Sequence, residues 1–170
     1  RGAGVEWATE DQLSKIDSVL KSVYRDWSME GREERVVVYD KLLCALEKYL
    51  PIRKNDAEIN ESSDDLKNDN CNNKGPPRVA VPGSGLGRLA FEIWSKGYST
   101  QGSDFSLPML LASDFILNGC SGRQFAISPF LSETKNVKSL QDRLRMVIVP
   151  DVPAVKLSSG GDFTMLAGEF

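Results

Sequence analysis

The sequence predicts an α/β fold, and three observations predict it. An apolar run, Val79-Ala80-Val81, breaks at Pro82 into a glycine turn, Gly83-Ser84-Gly85-Leu86-Gly87, and a helical pattern follows at once. A second strand-like run, Tyr98 to Ser103, ends at an acidic residue, Asp104. Ahead of both lie two amphipathic helical segments. The expected layout is a helical segment over residues 1–52, a polar linker over 53–77, and a nucleotide-binding type of domain beginning at 78 and running to 170.

Each element has a local reason. Residues 9–29 place Leu13, Ile16, Leu20, Val23 and Trp27 at three- and four-residue spacing, and Thr9 with Gln12 has capping-box spacing. Gly31 ends that helix. A second helix over Glu33 to Tyr49 carries Val36, Leu43, Leu46 and Leu50 on one side, and Pro51 stops it. From Arg53 to Pro77, Asn, Asp, Ser, Glu and Lys dominate and Leu66 is nearly alone as an apolar group, so a disordered linker is expected there. After the glycine turn, Leu86, Leu89, Ala90 and Ile93 line one side of a helix with Gly97 as its C-terminal stop. Ser106 is placed to cap a further helix, with Pro108 in its first turn, that continues to Gly119. Residues 121–145 are ambiguous. Met146 to Val149 is a short apolar run, and Phe163 to Ala167 reads as a third strand leading into Gly168-Glu169-Phe170.

Bulk composition narrows the function. A net charge of −3 argues against a nucleic-acid grip, which needs a basic patch. No apolar stretch reaches the roughly 18 residues of a membrane-spanning helix. Three scattered cysteines form neither a disulfide framework nor a zinc pattern, which fits reduced thiols and a cytoplasmic location, with the nucleus also open. The chain has no histidine, so the commonest general base and metal ligand are absent, and no metal site is expected.

The glycine turn is the candidate site. Gly83, Gly85 and Gly87 let the backbone approach a ligand, and a helix start presents free N–H groups to it. Asp104 lies where a carboxylate would accept from ribose hydroxyls. A dinucleotide fingerprint would have its third glycine at position 88, where Arg88 stands, and the Gly-Lys-Ser/Thr ending of a phosphate-binding loop is lacking. The spacing is more like the first motif of S-adenosylmethionine-dependent methyltransferases. Glu169 and Phe170 are candidates for the adenine, and Arg25, on pattern alone, is a solvated helix charge.

Several stretches together resemble the carnosine N-methyltransferase family. They are Tyr24-Arg25-Asp26-Trp27-Ser28, Val81 to Ala90, Gln101 to Ser106, Phe115 to Asn118, Pro150-Asp151-Val152 and Phe163 to Phe170. The resemblance implies a Rossmann-like class I methyltransferase fold, incomplete after its first three strands. It implies S-adenosyl-L-methionine as cofactor, Arg25 on its methionine carboxylate, Gly83 beside it, Asp104 on the ribose, and Glu169 with Phe170 around the adenine; Gly85 and Gly87 are cofactor-binding candidates from the turn itself. Two positions depart from the family pattern: Ser22 where a glutamine is usual, and Glu169 where an aspartate is usual. The implied reaction is in-line methyl transfer to a ring nitrogen of carnosine, an imidazole dipeptide, giving anserine. A neutral imidazole, with a free pKa of about 6.5, needs mainly positioning and desolvation. The family's substrate-contacting residues have no counterpart here, so no catalytic residue is assigned and a C-terminally truncated chain carrying most of the cofactor half is expected. An exposed first-strand edge would then leave a homodimer or another partner complex open. A nicotinamide-dependent oxidoreductase and a catalytically inactive partner-binding chain stand as the alternatives.

Overall fold

A computed structural model of the chain describes residues 8–52, 75–133, 137–154 and 161–168. The expected linker therefore lies, apart from its last three residues, outside the described residues, as do Glu169 and Phe170. The elements in order are α1 (Glu10–Trp27), α2 (Arg32–Tyr49), β1 (Arg78–Pro82), α3 (Arg88–Ser95), β2 (Ser99–Asp104), α4 (Leu107–Asp114), β3 (Phe125–Ile127), α5 (Leu140–Arg143), β4 (Val147–Val149) and β5 (Phe163–Ala167).

The main sheet is parallel, in the order β1-β2-β5. Val81 is level with Gly102, and Gly102 with Met165, so the C-terminal ends of all three strands line up beside the glycine turn. Among the described residues β1 and β5 are the edges. Alternation along β1 sends Val79 and Val81 toward the helices, where they pack with Leu43, Ala90, Ile93 and Tyr98. A second core gathers Val23 and Trp27 of α1 with Leu86, Phe91, Trp94 and Ile116, and with Val147 and Val149 of β4. The segment 121–145 resolves into β3 and α5. Its strand pairs antiparallel with β4 in a separate two-stranded ribbon, whose Val147 and Val149 share a core with Val23 and Trp27 of α1.

Three local expectations change. Leu13 and Ile16 of the α1 stripe stay half-exposed, and only its C-terminal half is buried. On α2 the buried stripe runs through Arg35, Tyr39, Leu43 and Leu46, while Val36 faces outward. A buried arginine thus occupies the place that hydrophobicity alone assigned to a valine. The Ser106 hydroxyl makes no capping bond; its amide instead donates to Asp104 Oδ1 at 2.8 Å. The helix to Gly119 is continuous, but its last turn, Phe115–Gly119, is π-helical, with the Cys120 amide reaching back to the Phe115 carbonyl.

Candidate functional site

Two structures meet at the end of β1: an open turn and a closed clamp. The turn comes first. Gly83, Gly85 and Gly87 have φ of +61°, +53° and +75°, the left-handed region that costs an L-residue roughly 1–2 kcal/mol. Their surroundings differ. A Cβ on Gly83 or Gly85 would meet nothing within 4 Å, whereas one on Gly87 would press on Met165 Sδ and Ser113 Oγ, both at 3.2 Å. Gly87 therefore serves packing under the turn, and Gly83 and Gly85 border free space.

The turn is pinned to β2. Ser84 donates its amide to the Ser103 carbonyl at 2.9 Å. Gly102 leaves room for this, since a Cβ there would stand 2.8 Å from Ser84 Oγ and 2.5 Å from Met165 Sδ. Asp104, buried, accepts from the Gly85 amide on Oδ2 at 2.8 Å and from the Ser106 amide on Oδ1. A carboxylate has about four acceptor positions, so roughly two stay free for a ligand's hydroxyls. The Gly168 amide donates to the Asp104 carbonyl at 3.0 Å, which brings the end of β5 to the same place. Gly83, Gly85, Gly87 and Asp104 thus form one cluster. No hydrogen bond among the described residues joins Arg25 to it. Arg25 makes a two-point pair with Asp26, Nε to Oδ1 at 2.7 Å and Nη2 to Oδ2 at 3.0 Å. The link to the turn runs through its neighbour: Trp27 Nε1 donates to the Leu86 carbonyl at 3.2 Å.

The clamp closes the end of α1. A helix leaves its last carbonyls without partners. Here Arg35 Nη1 donates to the carbonyls of Arg25 (2.6 Å) and Ser28 (2.7 Å), Arg88 Nη1 to that of Asp26 (3.2 Å), and the Asp151 amide to that of Trp27 (2.8 Å). The two guanidiniums share the Asp151 carboxylate, Arg35 at 2.6 Å and Arg88 at 2.5 Å, with all three side chains at most 7% exposed. Burial pulls Arg35 below its ordinary pKa, and nearby Arg88 adds to that. Burial also opposes the charge on Arg88, but its bonds to Asp151 and Glu92 outweigh this and hold it above its ordinary value. Arg88 also lies over the Trp27 ring, 4.9 Å from its centroid.

Asp26, Arg35, Arg88 and Asp151 are not among the site residues expected from the sequence. A signal existed for two of them: Arg35 falls in register with Tyr39 and Leu43, and Asp151 closes an apolar run.

A family model described as carnosine N-methyltransferase matches residues 5–170. The carnosine N-methyltransferase of Schizosaccharomyces pombe is 38% identical over 162 residues, covering 94% of this chain and 39% of that protein. The Mus musculus enzyme of the same name is 33% identical over 165 residues, covering 96% of this chain and 37% of its own length. The Dictyostelium discoideum one is 33% identical over 166 residues, with 93% and 32% covered. The chain spans less than two fifths of the length of these curated relatives.

Proposed function

The chain belongs to the carnosine N-methyltransferase family, and on that footing we propose that its glycine turn and Asp104 form the S-adenosyl-L-methionine site of a methyltransferase acting on the imidazole of carnosine. The observation that carries the reading is the Asp104 carboxylate. It ties Gly85 and Ser106 together at the ends of two adjacent parallel strands, beside glycines whose Cβ positions are open space. The residues present fit the group: open space over Gly83 and Gly85 for the amino-acid part, and carboxylate acceptor positions on Asp104 for ribose hydroxyls. Arg25 is assigned the methionine carboxylate, and Glu169 with Phe170 the adenine, on the family motif alone. Bound there, the cofactor supplies a sulfonium-activated methyl group. The residues of this chain bind and orient it, and the acceptor imidazole needs no general base from them when neutral.

Calorimetric titration of the chain with S-adenosylhomocysteine tests the reading. Saturable binding that weakens about 10- to 100-fold in Asp104→Ala is expected, since hydrogen bonds to a charged group are worth about 1.5–3 kcal/mol. Binding of a nicotinamide dinucleotide in its place would sink the proposal. Production of anserine from carnosine by the whole protein is the corresponding activity test.

A further inference from the structure

Arg25 and Asp26 are consecutive residues, yet their side chains face opposite conditions. Arg25 is 48% exposed and Asp26 only 4%. The pair is side-on: it uses the Nε and Nη2 edge of the guanidinium. An arginine has five N–H donors in a planar fork. Two are taken by Asp26, and the end-on edge formed by Nη1 and Nη2 is left with the geometry that receives a second carboxylate at two points. The Asp26 hydrogen bonds, more than its charge, hold the Arg25 pKa above its ordinary value.

The backbone beneath this pair is also fixed. The carbonyls of Arg25, Asp26, Trp27 and Ser28 are each taken by the Arg35–Asp151–Arg88 clamp, and the Trp27 indole is bonded to the turn at Leu86. A long side chain with many rotamers is thereby restrained at both its backbone and its head. Restraint before binding is what raises affinity without a new contact.

We infer that Asp26 is a positioning residue, which presets the Arg25 guanidinium side-on so that its end-on edge can receive the carboxylate of the cofactor's methionine part. The inference rests on the cofactor site proposed above. The buried Asp26 carboxylate touches no ligand; it acts through Arg25.

The test is calorimetry on the full chain, wild type, Arg25→Ala and Asp26→Asn, with two probes: S-adenosylhomocysteine and 5′-methylthioadenosine, which lacks the amino-acid part. Both variants should bind S-adenosylhomocysteine about tenfold more weakly and 5′-methylthioadenosine within about twofold of wild type. Asp26→Asn binding S-adenosylhomocysteine as wild type does, while Arg25→Ala is weakened, overturns the positioning role. Equal weakening toward both probes in Asp26→Asn overturns it too, since that is loss of structure. Arg25→Ala without effect on either probe removes the Arg25 assignment itself, and a wild-type chain that binds neither probe removes the cofactor site. If Asp26→Asn does not fold, nitrogen-15 NMR of the wild-type chain decides. An Arg25 Nε–H signal that is protected before ligand, and unmoved by S-adenosylhomocysteine while the Nη signals shift, is expected; freely exchanging Nε–H overturns the inference.

Discussion

The glycine turn and the α1 clamp lie one residue apart at Gly87 and Arg88, and they handle backbone polarity in opposite ways. In the turn a single carboxylate, Asp104, organises two amides and leaves space over Gly83 and Gly85. In the clamp two arginines and an aspartate consume the orphan carbonyls of α1, and the two guanidiniums share Asp151, with Glu92 as a second, less buried carboxylate on Arg88. The contrast separates the cofactor site proposed above from a cluster that holds the chain together. Both are strongly polar, so polarity alone does not tell them apart; the open space over Gly83 and Gly85 does. They are nevertheless one unit, because Arg88 begins the helix that the glycine turn launches and the Trp27 indole spans from clamp to turn.

The largest effect should come from breaking the clamp. Asp151→Ala leaves two buried guanidiniums without their shared carboxylate, and removal of one member of a buried ionic group costs about 3–5 kcal/mol. Against a typical total of about 5–15 kcal/mol, this variant should unfold at far lower urea than wild type, read by circular dichroism. A midpoint within error of wild type would mean that the clamp carries no net stability.

Two glycines sharpen the comparison. Gly31 has an ordinary φ of −73°, but a Cβ there would run into the backbone carbonyls of Tyr24 and Arg25. Gly31→Ala should cost about 1–3 kcal/mol through forced repacking against the end of α1. Gly85→Ala meets no atom, so its cost should be only the left-handed backbone penalty, about 1–2 kcal/mol. Its larger consequence should be weaker S-adenosylhomocysteine binding. The pair of urea midpoints and the pair of titrations together check this; Gly85→Ala with unaltered ligand affinity would show that the space beside it is not used.

The smallest effect is one of pH. Tyr39 of α2, partly buried against the core of Leu43, Val81, Ala90, Ile93 and Tyr98, has its phenol pushed up to about 12 from 10.0, by burial first and then by the charge of Asp26. Because the folded value is the higher one, the associated stability is fully present below pH 10 and is lost as pH rises through about 12. Thermal midpoints measured from pH 8 upward should fall across that window, and Tyr39→Phe should flatten the alkaline limb.

Local rules reached far into the fold. Capping-box spacing placed the start of α1, glycine placement marked the turn, and β5 was legible as a third strand from its apolar run. Where they stopped, the reason was tertiary. Arg35 looks like a surface charge on a helix, and only the meeting of α2 with Asp151 makes burial tolerable. Phe125–Ile127 is too short to declare itself, and it becomes a strand because Val147–Val149 pairs with it. Ser106 differs in part for a local reason: Pro108, two residues on, has no N–H to give its hydroxyl, while its own amide donates to Asp104.

The α/β unit, the glycine turn at Gly83, Gly85 and Gly87 and the carboxylate at the end of β2 were legible in the sequence. Those features arise from neighbours along the chain: backbone freedom, side-chain periodicity and a turn that only glycine adopts cheaply. The tertiary structure alone decided that Asp104 bonds Gly85, that Arg25 is held by Asp26, and that residues as far apart as Arg35, Arg88 and Asp151 form one buried cluster. Apart from the register of Arg35 with Tyr39 and Leu43, such a cluster leaves little trace in the sequence, because a buried charge is stable only through partners that the fold brings together.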